Sequence, residues 1–524
     1  MIKKAILERI NSALQAEELS FSGVSLEESS FGDYSTSFPL KLGKFKSYQT
    51  PDEVARFFVS VLAKNELFSE VTFSKPGFIN FRINQKEAGK LLSEVLEQKE
   101  NFGKTKDFIG KKARVEYVSA NPTGPLHIGN ARGGPLGSSL ASVLEWNGYS
   151  VIQEYLHNDI GSQIDNLGAS LLNLRKGGRL EDQEYKGEYL LELQKVLPKE
   201  IDSSQEAGKW AADKMLQEIL NDLDKIGIKY NKIYKESEFE ASKTEQILKV
   251  LEDKSLLKEK DGAKWFAPGG EYMQDKEAVV VRSDGRPTYF ANDIAYHNEK
   301  FSEGYDLVID ELGSGHDGHI PKLKAVISAL GYDVNKFKVI VHQNVRVKRG
   351  KIIVKMSKRA GNYVTAREVF DEVGSDAFRF LLLMSSPNSH LDFDLDLAKK
   401  QSSENPVYYV QYAHARICSI LSKADLSTNR FDPSLLETNE EKELTRKILE
   451  FPDLLSEVGQ NFMVHQIAHY CISVADLFHK FYEKVHVLNE DKDLTKARLA
   501  LVKATQIVLA NSLSLLGVSA PEKM

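Results

Sequence analysis

Apolar and polar positions recur along this chain with two different periods, and the changes of period divide it. Near the amino terminus Ile2, Ile6, Leu7, Ile10 and Leu14 recur at helical spacing and predict an amphipathic first helix. A second helix is expected over 51–64, where Pro51 and Asp52 suit a first turn. Val71-Thr-Phe-Ser74 and Gly77-Phe-Ile-Asn-Phe-Arg-Ile83 alternate like paired strands around Lys75-Pro76-Gly77, and a helix over 86–98 closes the unit. Mixed elements in so short a stretch predict an α+β domain over residues 1–108.

From 109 to 385 the pattern changes. β-rich runs at 113–119, 150–155, 306–310 and 337–342 are separated by helical stretches. Strands alternating with helices predict an α/β domain built on a doubly wound, Rossmann-type parallel sheet, with ligands at the carboxyl ends of its strands. Residues 165–260 are rich in Glu, Lys, Gln and Leu at helical periodicity, and are expected to form a helical insertion between two halves of the sheet. From 386 to 524 the β signal fades. Ile467, Tyr470, Cys471, Val474, Leu477, Phe478, Phe481 and Val485 share one helical face there, and Leu494, Leu499, Leu501, Val502, Ile507 and Leu515 repeat the pattern. An all-α helical bundle is expected.

The length of 524 residues suits about three domains. A chain 42% hydrophobic and 27% charged is ordinary for a globular protein with real cores. The net charge of -6 argues against a uniformly basic nucleic-acid coat and leaves room for local basic patches. The two cysteines, Cys418 and Cys471, cannot make a Cys-rich zinc site; they read as core thiols in a reducing compartment. The first helix lacks the continuous apolar segment of a targeting peptide, and no run reaches the ~18 apolar residues of a membrane span. A cytoplasmic protein is expected.

The candidate chemistry begins after the 113–119 run. Asn121-Pro-Thr-Gly-Pro125 leads into His127-Ile-Gly-Asn130 and a small-residue helix ending near Gly148. Strand, tight loop and helix in that order offer free backbone N–H groups at a positive helix end, a place for phosphate. Gly129 lets a flat ring approach the backbone, and His127 and Asn130 add donors beside it. Downstream, Lys355-Met-Ser-Lys358 and Arg359-Ala-Gly361 follow a hairpin-like run at 344–354. Two nearby lysines make a cationic clamp suited to a reacting triphosphate, although alone such a pair is better explained by a solvated loop. In Asn405-Pro-Val-Tyr-Tyr-Val-Gln-Tyr-Ala-His-Ala-Arg416 the tyrosines either stack on unpaired bases or fill the bundle core. The acids of Asp392-Phe-Asp-Leu-Asp396 read as the cap of the following helix rather than as a metal site.

His127-Ile-Gly-Asn130 after a strand, with Lys355-Met-Ser-Lys358 far downstream, resembles the signature pair of class I aminoacyl-tRNA synthetases. More closely, the chain resembles the arginyl-tRNA synthetase family. The likeness is carried by VEYVSANPTGPLHIGNARGGPLG at 115–137, GRPTYFANDIAYH at 285–297, NPVYYVQYAHAR at 405–416 and LLGVSAPEKM at 515–524, with FGDYS at 31–35 and KPGFINFRI at 75–83 in the first unit.

That resemblance implies ATP-dependent ligation of L-arginine to tRNA(Arg) through an arginyl-adenylate, with Mg²⁺ on the phosphates, no zinc, a monomeric enzyme, and arginine activation that requires bound tRNA. It implies catalytic roles for His127, Lys355 and Lys358, and ATP contacts from Pro125, His127, Gly129, Asn130, His316, Lys355, Ser357 and Lys358. Asn130 stands where the family usually has a second histidine, and Gly315 and Asp317 depart from the family's usual run before His319. Glu116, Ser119, Asn121, Tyr289 and Asp293 are expected around arginine, because a planar guanidinium with five donors matches carboxylates. Glu116 is either an acceptor for the α-amino group or a paired structural carboxylate. Tyr408, Tyr412 and Arg416 are expected on tRNA. A cysteinyl-type relative would need Cys/His zinc ligands early in the chain, where none precedes Cys418. A small-molecule nucleotidyltransferase would not need the bundle, and a non-enzymatic RNA-binding paralogue would have lost His127 or the lysines.

Overall fold

The computed structural model describes residues 2–238, 243–274, 276–354, 364–424 and 431–524. At its centre is a five-stranded parallel sheet in the order Phe337–His342, Leu307–Gly313, Lys112–Glu116, Ser150–His157, Lys232–Lys235. Its inner strands are buried on both sides, as a sheet covered on both faces requires. Ala113, Val115, Leu307 and Ile309 enter one core, while Val308 enters another with Phe301, Leu323 and Phe337. The helix Gly133–Trp146, buried along most of its length, packs on the first face. Tyr289–Ser302 and Ile320–Leu330 lie on the other. The doubly wound, Rossmann-type arrangement is therefore present.

The first unit has an antiparallel sheet ordered Glu27–Glu28, Tyr34–Thr36, Phe78–Ile83, Phe68–Ser74, backed by Pro51–Leu62, against which Ile2–Ala16 packs. Thr50 and Glu53 close a capping box at the start of the latter helix. At the carboxyl end, Pro406–Ser422, Asn439–Leu449, Phe451–Asn461, His465–Lys484 and Lys492–Leu515 form the bundle. Asn511 of the last helix donates to the carbonyls of Lys99 (3.0 Å) and Phe102 (3.1 Å), so the bundle is pinned to the end of the first unit.

Three expectations need correction. The run at 113–119 stops being a strand at Glu116, because Val118 and Ser119 adopt positive φ of 68° and 35°. The stretch 165–260 is helical only in part. Ser162–Arg175, Tyr189–Val196 and Ser204–Lys225 are helices, but Lys232–Lys235 is the edge strand of the central sheet, and Leu257–Lys260 opens a separate three-stranded antiparallel sheet. Both strands are short and mostly polar, so neither carries the alternation that marks a half-buried strand. Finally, β structure persists past 386: Leu391–Asp394 pairs in parallel with Val345–Arg349. Asp394 then caps the following turn through Asp396 and Leu397 N–H, as the sequence suggests. No described helix is long and apolar enough to cross a membrane.

Candidate active site

Three adjoining cavities lie at the carboxyl ends of the central strands, of about 260, 610 and 200 Å³. Asn121 lines all three, and Asn130 lines the second and third. The loop after Lys112–Glu116 thus sits where the cavities meet, as a ligand site in an open α/β sheet should.

The first cavity is built by one helix face. Tyr289, Asn292, Asp293 and Tyr296 follow one another at helical spacing on Tyr289–Ser302 and all line it. The Tyr289 hydroxyl accepts the Ser162 N–H at 2.9 Å, and His319 Nε2 meets Asp293 Oδ2 at 2.8 Å. Glu236 enters from the turn beyond the edge strand and accepts from Asn292 Nδ2 at 3.2 Å. Two carboxylates with amides and phenols around one small cavity suit a planar cation with several donors. Asn121 is held from both sides: Asn158 Nδ2 donates to its Oδ1 at 2.8 Å and it donates to Gln163 Oε1 at 3.1 Å.

Below this cavity lies a buried charge network. Glu116 accepts from Ser119 Oγ (2.9 Å) and Tyr296 OH (2.8 Å) and is paired with Lys300, which also donates to Asp310 Oδ1 at 2.7 Å. The same Tyr296 hydroxyl also lies within hydrogen-bond reach of Glu154, which pairs with Arg114, so its one hydrogen is shared between the two carboxylates. Burial opposes the Lys300 charge, but the Asp310 and Glu116 carboxylates more than offset it and raise the ammonium above its ordinary value. Burial likewise opposes the Asp310 charge, yet Lys300 and the His297 hydrogen bond hold its carboxyl well below the usual range. Glu116 is thus a paired structural carboxylate that also lines the second cavity. Ser119 joins it there, accepting the Leu156 N–H at 3.0 Å.

The second cavity runs under Gly313, Gly315, His316, Gly318 and His319, with Asn130 in its wall; His316 also reaches the first. The third is enclosed by Thr123, Gly124, Pro125 and His127 on one side and Glu184, Tyr185, Lys186, Gly187 and Tyr189 of the insertion on the other. Tyr189 OH ties the two sides by donating to the Thr123 carbonyl at 2.6 Å. His127 Nδ1 accepts the Gly129 N–H at 2.9 Å, so the histidine caps the helix it begins.

Lys355, Ser357 and Lys358 lie outside the described residues. Val354 N–H donates to Val347, Ile128 N–H to Val364 and Ala366 N–H to Leu126, so the chain after this run pairs with the segment that carries His127. Arg132, fully buried, donates to the carbonyls of Gln343 (2.8 Å), Ser386 (2.9 Å) and Ser389 (2.8 Å), fixing the same segment to the base of the hairpin.

Away from these cavities, Tyr408, Tyr412 and Arg416 share a face of Pro406–Ser422. The two tyrosine rings stack at 6.3 Å, Arg416 donates to Tyr412 OH at 2.8 Å, and its guanidinium lies 4.5 Å from the Tyr482 ring centre. Tyr412 is 37% exposed and so is not core filling. Among the described residues no group of three or more His, Cys, Asp or Glu side chains forms a metal site.

Glu236, Asn292, Asn158, Lys300 and Arg132 were not singled out from the sequence. The helical spacing from Tyr289 to Tyr296 could have pointed to Asn292; nothing local marks Glu236, which follows an edge strand that the sequence pattern assigns to helix.

Comparison with known families agrees with this arrangement. Residues 1–83 match the arginyl tRNA synthetase N terminal domain, 91–389 the catalytic domain of tRNA synthetases class I (R), and 410–524 the DALR anticodon binding domain. The chain is 40% identical to the arginine–tRNA ligase of Desulforudis audaxviator, over 95% of this chain and 92% of that one. It is also 40% identical to that of Shouchella clausii, over 100% and 98%. Among solved structures, a putative arginyl-tRNA synthetase from Campylobacter jejuni superposes with a TM-score of 0.77 at 33% identity, covering 84% of this chain and all of that one. The Thermus thermophilus arginyl-tRNA synthetase superposes with a TM-score of 0.83 at 22% identity over the whole of both chains, a likeness of fold. The chain belongs to the arginyl-tRNA synthetase family of class I aminoacyl-tRNA synthetases.

Proposed function

We propose that this chain ligates L-arginine to tRNA(Arg) with ATP, through an arginyl-adenylate, releasing AMP and pyrophosphate. The observation that carries the reading is the convergence of Asp293, Glu236 and Tyr289 on a cavity that shares a wall with the one holding Asn130. Asp293 and Glu236 take the guanidinium, with Tyr289 flanking it. Asn121, at the junction, is placed to meet the α-amino group, and Glu116 and Ser119 set the shape of the wall behind it.

The second cavity takes the nucleoside of ATP, with His316 beside it, and the phosphates reach Pro125, His127, Gly129 and Asn130. Arginine's carboxylate oxygen attacks the α-phosphorus, the bond to the bridging oxygen of the β-phosphate breaks, and pyrophosphate leaves. The terminal ribose hydroxyl of the tRNA then attacks the arginyl carbonyl carbon and AMP leaves. No protein nucleophile is needed; positioning and charge stabilisation by His127, Lys355, Ser357 and Lys358 supply the catalysis. Mg²⁺ enters on the triphosphate as part of the substrate, and the reading calls for no zinc. The phosphates so placed occupy the Pro125–His127 side of the third cavity, and its other side, under the insertion, takes the tRNA's 3′ end. Tyr408, Tyr412 and Arg416 contact the tRNA at the bundle, with 1–108, 109–385 and 386–524 as the three working units. We place the enzyme in the cytoplasm as a monomer.

Asp293→Asn tests the assignment. It removes a charge that faces the guanidinium and keeps the side chain's shape, so KM for arginine should rise by about tenfold or more while ATP binding stays near wild type. Steady-state charging at varied arginine reads this directly; an unchanged KM would take Asp293 out of the pocket.

A further inference from the structure

The second cavity contains a pair of buried polar atoms that the roles above leave unused. Glu311 and His342 sit near the carboxyl ends of adjacent parallel strands and both line this cavity together with Asn130. Glu311 Oε1 and His342 Nδ1 face each other at 3.3 Å, both are shut off from solvent, and neither has a hydrogen-bond partner among the described residues. A bare carboxylate oxygen against a bare ring nitrogen leaves two buried acceptors unmet; one proton between them satisfies both. The other ring nitrogen, Nε2, lies 3.5 Å from where a Cβ on Gly313 would stand, and Gly313 is part of the cavity wall.

We propose that Glu311 holds a proton against His342 Nδ1, fixes the ring with its own hydrogen on Nε2, and thereby makes His342 a nucleotide-binding donor in the same cavity as Asn130. The proposal rests on the reading that this cavity takes ATP.

The surroundings favour this proton count. Burial pushes the Glu311 carboxyl up to about 8, with Glu116 adding to it, against the Val118 N–H and the Arg132 guanidinium. Burial also pushes His342 down to about 4, and Arg132 acts in the same direction. Val118 N–H reaches the other Glu311 oxygen at 3.4 Å. Arg132 stands at the start of the helix Gly133–Trp146, Glu116 ends the adjoining strand Lys112–Glu116, and the Tyr230 phenol, itself kept neutral by burial, follows the helix Ser204–Lys225. Arg132 gives its hydrogen bonds to the carbonyls named above, so it contributes charge to the pair. At neutral pH the carboxyl is therefore protonated and the ring neutral. As pH rises through about 8 the shared proton leaves. The remaining ring proton then answers the carboxylate at Nδ1, and Nε2 changes from donor to acceptor.

The test is ATP binding to the full chain by titration calorimetry, without amino acid or tRNA, at pH values on both sides of 8. The dissociation constant of the wild type should rise about tenfold above this value, the order expected for one lost hydrogen bond. In Glu311→Gln the amide still donates to Nδ1 but does not titrate, so binding should stay flat at the neutral-pH strength of the wild type. His342→Leu should be about tenfold weaker at neutral pH and also flat. The proposal is overturned by a pH-flat wild type, by a Glu311→Gln protein that keeps the wild-type pH dependence, or by a folded His342→Leu that binds ATP like the wild type. If His342→Leu fails to fold, the other two arms still decide. Loss of the arginine assignment is distinguishable: a protein that follows this ATP pattern yet charges no arginine refutes that assignment alone.

Discussion

Glu311 shows how a single side chain ties stability to pH. It keeps its proton up to about pH 8 when folded, whereas a glutamate in an unfolded chain gives it up near its ordinary value of about 4.3. The folded state therefore binds the extra proton between those values, and stability falls as pH rises across that window: full below it, lost above about 8. Glu311→Gln removes the titration. Thermal melts should show the variant matching the wild type in mild acid and exceeding it at alkaline pH; a difference that does not change with pH would contradict the shift. Much of the site's residue list was legible without coordinates. His127, Asn130, Tyr289 and Asp293 sit in short runs whose order betrays them, and the structure puts each of them in a cavity wall. Glu236, Lys300 and the Glu311–His342 pair were not legible, because each acquires its partner from a strand or helix remote in sequence.

At the scale of elements, the insertion depends on a close crossing between Ser162–Arg175 and Ser204–Lys225. A Cβ on Gly168 would stand 1.8 Å from the Ser204 carbonyl oxygen, and one on Gly208 would stand 2.1 Å from that of Ile164. Backbone cannot yield as a flexible side chain can, so Gly168→Ala should cost about 1–3 kcal/mol, despite alanine's higher helix propensity. Denaturant unfolding measures the change; a variant as stable as the wild type would show that the helices can separate freely. The same scale shows where pattern reading fails. The strand at Lys112–Glu116 ends early because Val118 donates its N–H to Glu311 and Ser119 turns its hydroxyl to Glu116, contacts that outweigh the β preference of Val-Ser. The edge strand Lys232–Lys235 escaped because Lys-Ile-Tyr-Lys has too little apolar alternation to separate it from the helical stretch before it.

Across the whole molecule, buried arginines act as staples. Arg379 donates to the carbonyl of Leu516 (2.8 Å), the carbonyl of Ile226 (2.9 Å) and Ser138 Oγ (3.0 Å), joining the end of the bundle, the end of the insertion and the signature helix. The tyrosine–arginine face at 408–416 lies on the bundle side of that junction, well separated in role from the cavities. Tyr412→Ala should raise KM for tRNA by about tenfold, the scale of one lost stacking contact, and leave ATP binding unchanged. A tRNA KM equal to wild type in charging assays would mean this face does not meet RNA. The division into a mixed first unit, a wound parallel sheet and a helical bundle was readable from periodicity because each has a long run of its own period. The staples between them were not, since a buried arginine looks like a surface one in sequence.

The central claim is arginine's identity as the ligated amino acid. The most direct measurement is charging of total tRNA by the full chain with ATP, offering each standard amino acid in turn and citrulline beside arginine. Two carboxylates at the pocket demand a cation, so arginine should be attached and citrulline, of similar shape but uncharged, should be rejected by orders of magnitude. Attachment of another amino acid, or equal use of citrulline, would contradict the account.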